Sequence, residues 1–185
     1  MVVKTVGEGL DRVLDKALTR PVPKSAGAQI RFLVKQLKGT QAVAQLLGVS
    51  QRTVERYVTG EIKKPRSELA ARMYTETHTR WQPRVKGRAK KAAATSQGLM
   101  IDVRASLGYA APAGTTDEAR ERHLTLALPP HHAGRILDAQ ERGERDMRQA
   151  VADALKDVYF QQRGTRAASL EEVRMLHVEH IEFDL

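Results

Sequence analysis

Two adjacent hydroxyls stand in the segment Ala113-Gly114-Thr115-Thr116-Asp117-Glu118. A threonine hydroxyl is a weak nucleophile at neutral pH and reacts only when a base or a metal activates it. Asp117 and Glu118 lie beside Thr115 and Thr116 and could orient the hydroxyl or a metal-bound water. The chain shows no metal cage of its own, so the chemistry that fits is an acceptor hydroxyl offered on an exposed loop to another enzyme's metal ions. The same spacing has a structural meaning. Thr115 followed three residues later by Glu118 is a capping box, which marks a helix N-terminus. Other reactive candidates are weaker. His131 and His132 are neighbours, so they do not share a helix face and make a weak metal pair. His177 and His180 are three apart, but their segment reads as extended. No nucleophile–histidine–carboxylate set and no glycine-rich phosphate cradle is present. The 185 residues include no cysteine, which excludes disulfides, thiolate zinc sites and cysteine nucleophiles. The expectation is a chain that is not an enzyme and binds no cofactor itself.

The second chemical cluster is basic. Thr40 to Thr59 has the spacing of a helix-turn-helix, with a small residue, Ala44, where the helices cross. Gly48 suits the turn because it tolerates positive φ. Thr40 and Ser50 are placed to cap the two helices. Val43, Leu47, Val49 and Val54 would fill the core between them. The second helix would then expose Gln51, Arg52, Thr53, Glu55 and Arg56, with its N-terminal end able to reach base edges in a major groove. Glutamine pairs with adenine and arginine with guanine. Lys63, Lys64 and Arg66 follow at once and suit phosphates.

These residues need elements to hold them. Leu10, Val13, Leu14, Ala17 and Leu18 repeat at helical spacing, and Pro21 and Pro23 break that helix. A second helix starts at Ser25 or Ala26, carries Ile30, Leu33, Val34 and Leu37, and stops at Gly39. After the basic turn, Ser67 is placed to cap a helix that bears Leu69, Met73 and Tyr74 and ends near Trp81-Gln82-Pro83. Arg84, Lys86, Arg88, Lys90 and Lys91 put five cations into eight residues, which reads as a linker or a segment ordered on DNA.

The second half differs in texture. Met100 to Val103 predicts a short strand and Tyr109 to Thr116 a loop. From His123 to Leu128 the leucines alternate with His123, Thr125 and Ala127, which is strand period. Pro129-Pro130 ends that strand and opens a helix. Helices over about 131–142 and 146–161 follow, and Met175 to Leu185 predicts a last strand. Strand, helix, helix is the order of ribbon-helix-helix dimers. The strand's partner is then either Met100–Val103 or the same strand of a second chain, which leaves a homodimer open.

The predicted class is therefore α+β, mostly helical. A helical DNA-binding domain with the helix-turn-helix bundle spans 1–83, a basic linker 84–98, and a domain with a small sheet and helices 99–185. Charge divides in the same way. The chain carries 31 Lys/Arg and 22 Asp/Glu, net +9, with a pI near 10.0. Residues 1–100 hold 20 Lys/Arg against 7 Asp/Glu, a net of +13; residues 101–185 hold 11 against 15, a net of −4. A basic half points to a polyanion and an acidic half to a protein surface. Aromatics at 4% argue against stacking platforms for single strands. No apolar run reaches the roughly 20 residues of a membrane span, and the N-terminus lacks signal-peptide character. The expected location is the cytoplasm, in association with the nucleoid.

Several blocks together resemble one family. Val22-Pro23-Lys24-Ser25-Ala26, Gly48-Val49-Ser50-Gln51-Arg52-Thr53-Val54, Trp81-Gln82-Pro83-Arg84, Gly108-Tyr109, Val158-Tyr159-Phe160-Gln161 and Glu182-Phe183-Asp184-Leu185 look like the terminal proteins (the Tpg type of telomere protein) of actinobacterial linear chromosomes and plasmids. The resemblance runs over nearly the whole chain. It implies a protein primer for DNA replication that stays covalently linked to the 5′ end of the replicon. A threonine hydroxyl accepts the first deoxynucleotide, usually dCMP, in a DNA polymerase that supplies Mg2+ and dCTP. A telomere-associated protein would recruit the chain to telomeric DNA. By position the acceptor is Thr116, with Thr115 second. The basic stretch Arg84 to Lys91 matches one that can act as a nuclear-localisation-like signal. The competing expectation, drawn from the residues alone, is a helix-turn-helix transcriptional regulator with a C-terminal dimerisation domain.

Overall fold

The leucine alternation over His123–Leu128 is the centre of a longer strand. The computed structural model describes residues 4–110, 116–161, 170 and 172–185, and for residues 110 and 116–118 the backbone alone. Strands β1 (Leu99–Ala110), β2 (Thr116–Leu128) and β3 (Glu172–Asp184) form an antiparallel sheet in the order β2-β1-β3. Ile101 stands opposite Leu126 and Phe183, and Val103 opposite Leu124 and Ile181. The two-residue period puts all of these on one face. That face is buried, while Asp102, Arg104, His123, Thr125 and His180 lie on the other. Met100–Val103 is only the start of β1. The remainder, Arg104-Ala105-Ser106-Leu107-Gly108, holds few strand-favouring residues, and cross-strand pairing rather than propensity carries it.

Helices α1 (Val6–Lys16), α7 (Pro130–Ala139) and α8 (Glu144–Leu155) cover the buried face. Proline at the first position of α7 lacks only an N–H that the helix would leave unpaired. The order β2, α7, α8 matches the predicted strand, helix, helix. β2 takes its partner β1 from its own chain and stands at one edge of the sheet.

By contact the chain divides into two units: residues 1–18 with 84–185, and residues 19–83. The first helix thus belongs to the sheet unit, and the predicted 1–83 domain begins at 19. Periodicity shows that a helix has an apolar face but not which core it meets. Val6, Leu10, Val13 and Leu14 join the sheet core, each contributing about 1.5–3 kcal/mol on burial. A Cβ at Gly9 would stand 3.0 Å from the Phe183 ring. Glu144 accepts hydrogen bonds from the Val6 N–H (2.8 Å) and Gly7 N–H (3.0 Å), pairing two of the donors that a helix start leaves open.

Residues 84–97 are helical, within the stretch 84–98 where a linker is predicted: α6 (Pro83–Ala92) runs into a π-helical turn over Ala93–Gln97. Lys86 and Lys90 share one face of α6. Lys86 Nζ lies 3.3 Å from Asp15 Oδ1, and Lys90 Nζ donates to Gln140 Oε1 at 2.8 Å. Charge density suggested a solvated segment; helical spacing turns two of its cations inward. Gly98 (φ 76°) joins this turn to β1, where a Cβ would sit 2.2 Å from the Leu128 carbonyl oxygen, so only glycine fits.

The inserted unit has four helices: α2 (Ala26–Leu37), α3 (Thr40–Leu47), α4 (Gln51–Thr59) and α5 (Ser67–Arg80). Ile30, Leu33, Val43, Leu47, Val54, Tyr57 and Met73 form its core. Its ends are tied together. Trp81 Nε1 and Gln82 Nε2 donate to the Arg20 carbonyl at 3.0 and 3.1 Å, and the Thr19 hydroxyl donates to Gln82 Oε1 at 2.9 Å. The Trp81 ring meets Phe32 edge-on at 4.8 Å. Two predicted caps do not form. Thr40 and Ser67 are the first helical residues, behind Gly39 and Arg66, and neither residue before the helix supplies a side-chain cap. Helix α2 also ends two residues before Gly39, at Leu37, with Lys38 itself left-handed (φ 58°) and its N–H bonded to the Val34 carbonyl. Among the described residues no helix is long and apolar enough to cross a membrane.

Candidate nucleic-acid interface

The turn between α3 and α4 falls at Gly48 and the cap of α4 at Ser50, where the sequence places them. Gly48 closes α3 at φ 64°, where its N–H bonds the Ala44 and Gln45 carbonyls. A side chain there would be strained. Two residues on, Ser50 starts α4: its Oγ accepts from the Thr53 N–H at 3.2 Å and lies 2.8 Å from the Thr53 hydroxyl. Val43, Ala44, Leu47 and Val54 are buried between the helices, with Val49 packed against them. Burial pushes the Tyr57 hydroxyl above its ordinary pKa, so it is neutral and serves the core.

What α4 exposes is then fixed. Gln51, Arg52, Glu55 and Arg56 are exposed, and Thr53, half-buried, is spent on the cap. Gln51 Nε2 donates to Glu55 Oε1 at 2.9 Å, and Arg56 Nε to Glu61 Oε2 at 3.2 Å. Both contacts are exposed and weak, so a stronger ligand can displace them. Arg52, Lys63, Lys64 and Arg66 are exposed and have no ion-pair partner among the described residues. Seven of the predicted DNA contacts, Gln51 to Arg66, therefore sit on α4 and the turn behind it. The other five are on α6 in the sheet unit. There Lys86 and Lys90 hold the helix down, and Arg84, Arg88 and Lys91 face outward.

Of the two candidate acceptors, Thr116 falls on a described element. Thr116 opens β2 opposite Ala110, and Asp117 stands opposite Tyr109. Thr115 lies outside the described residues, and of Thr116, Asp117 and Glu118 only the backbone is described. The strand from Thr116 onward removes the capping-box meaning, because no helix follows Thr115. Near the end of β1, Tyr109 meets Phe160 edge-on at 5.7 Å, and the Arg122 guanidinium lies 5.4 Å from the Phe160 ring centre. Phe160 belongs to a π-helical turn, Lys156–Phe160, that extends α8. Two separated sequence blocks, Gly108-Tyr109 and Val158-Tyr159-Phe160-Gln161, meet here.

Two polar clusters escaped the sequence reading. On the open sheet face, Asp102 accepts from the Thr125 hydroxyl at 2.6 Å and lies 3.0 Å from His123 Nε2 and 3.4 Å from His180 Nε2. These contacts hold its carboxyl below the ordinary value, the Thr125 hydrogen bond most of all. Beside it Arg104 Nε donates to Glu121 Oε1 at 2.7 Å, which raises the guanidinium pKa further. Asp102, His123, Thr125 and His180 all fall in predicted strands; what the sequence does not show is the pairing register that joins them. The second cluster is His131, His132 and Asp157. Both histidines stand in the first turn of α7, and Asp157 from the turn after α8 approaches each of them.

No family model, curated protein or solved structure matches the chain.

Proposed function

We propose that the chain is a terminal protein of linear DNA. Its α3–α4 pair is a helix-turn-helix that binds duplex near the end, and Thr116 or Thr115 offers the priming hydroxyl. The observation that carries the reading is the α4 surface. A capped, rigidly packed helix presents Gln51, Arg52 and Arg56 at its exposed side, with unpaired Lys63, Lys64 and Arg66 directly behind. Base-reading side chains followed by phosphate-binding ones is the arrangement such helices use. The hairpin adds support. Tyr109 meets Phe160 edge-on near the end of β1, the strand paired with the one that Thr116 opens.

In the priming step a threonine Oγ attacks the α-phosphorus of dCTP. An O–P bond forms, pyrophosphate leaves with the bridging oxygen, and the hydroxyl proton passes to a base of the polymerase site. The polymerase supplies Mg2+, which stabilises the leaving charge. Asp117 and Glu118 are the acids flanking the acceptor. The chain would act in association with the nucleoid at replicon ends, brought there by a telomere-associated protein.

The test is deoxynucleotidylation with labelled dCTP, a polymerase and a telomeric template. Label enters the wild-type chain and is lost when Thr115 and Thr116 are both changed to Ala. Full labelling of the double variant overturns the acceptor assignment. Specific binding to an internal palindrome with no covalent adduct supports the regulator instead.

A further inference from the structure

One cluster apart from the DNA face and the hairpin has the composition and spacing of a metal site. His131 and His132 occupy the first turn of α7, and Asp157 comes from the π-helical turn after α8. His132 Nε2 lies 2.9 Å from Asp157 Oδ2, and His131 Nε2 lies 4.0 Å from the same oxygen. One ligand atom from each of the three lies within 4.8 Å of the others. Zinc holds nitrogen and oxygen ligands at about 2.0–2.2 Å, so tetrahedral ligands stand about 3.3–3.6 Å apart. The observed separations bracket that spacing. His132 is only 3% exposed, and its bond to Asp157 accounts for its own burial. That bond gives no role to His131, whose ring centre is 4.2 Å from that of His132 and whose Nε2 approaches the same oxygen.

The surroundings are those of a fixed site with one open side. Buried Ile136, Leu137, Val151 and Leu155 pack α7 against α8, and Arg135 reaches Asp153 at 3.5 Å one turn from the cluster. The His131 side chain is 62% exposed, so solvent has access on that side. We propose that His131, His132 and Asp157 bind one divalent transition-metal ion of the zinc class, with water completing the shell. Two imidazoles and one carboxylate suit zinc, cobalt or nickel and not magnesium, which prefers oxygen ligands. The proposal does not rest on the priming role. A metal here would also fix the turn that carries Phe160, three residues beyond Asp157, against Tyr109.

The test uses untagged, full-length protein stripped with a chelator. It is then titrated with Co2+, read by visible absorption, and with Zn2+, read by competition with a chromogenic chelator. One equivalent binds, with the strong visible band of four- or five-coordinate cobalt. His131→Ala is exposed and keeps the fold by circular dichroism, so it is the informative variant. It and Asp157→Asn each weaken binding about tenfold or more. His123→Ala, in the Asp102 cluster, leaves affinity unchanged. Absence of stoichiometric binding by the wild-type chain, or an affinity that His131→Ala does not move, overturns the proposal.

Discussion

The helix α4 with its following turn and the helix α6 carry similar densities of positive charge and use them in opposite ways. Arg52, Lys63, Lys64 and Arg66 stand exposed and unpaired, on a unit whose ends are tied together by Arg20, Trp81 and Gln82. On α6, Lys86 is mostly buried against Asp15 and Lys90 reaches Gln140, so the same kind of residue anchors a helix to the sheet unit. A run of lysines and arginines is therefore open to a polyanion only where the fold leaves it without partners.

The comparison can be broken at several points. The largest effect is expected in the sheet unit. Leu10→Ala empties a fully buried position and should cost about 2–5 kcal/mol. Hydrogen exchange should then quicken in β1 and β3 and much less in α2–α5. Equal loss of protection in both would show that the two units do not unfold separately. Next comes the charge contrast. Arg52→Ala with Arg56→Ala should weaken duplex binding about tenfold or more, which is about 1.4 kcal/mol or more. Lys86→Ala with Lys90→Ala should lower the unfolding temperature and leave DNA affinity nearly unchanged. The reverse pattern, measured by titration at low salt, would exchange the roles of the two helices. Ser50→Ala should cost about 1 kcal/mol, because the Thr53 N–H loses its cap.

The smallest effect concerns pH. Asp102 is held below its ordinary pKa, first by Thr125. Its contribution to stability is present above about pH 4, the unfolded value, and is lost as pH falls through the lower folded value. Half-exposure keeps it small. Asp102→Asn should flatten the acid side of the stability profile measured by urea unfolding between neutral and acid pH. An unchanged profile would remove Asp102 from the account.

Local rules carried much of the fold into the sequence. Ser50, Gly48 and the Val43–Leu47–Val54 spacing define α3 and α4 because caps and turns depend on residues a few positions apart. The Leu124–Leu126–Leu128 alternation defines a strand face for the same reason. The parts that were not legible depend on distant partners. Nothing near Val6 or Gly7 announces that Glu144 will cap them. Lys86 and Lys90 look like their neighbours until Asp15 and Gln140 are placed. Gly98 reads as a linker glycine until the Leu128 carbonyl stands beside it. The Asp102–His123–His180 and His131–His132–Asp157 clusters join residues at least 21 positions apart on different elements, which no periodicity shows.

The most direct measurement on the central claim is tandem mass spectrometry of the protein recovered from nuclease-treated ends of linear DNA. The account predicts a nucleotide linked through phosphate to Thr116 or Thr115. An unmodified peptide across both threonines, or the nucleotide on any other residue, would contradict it.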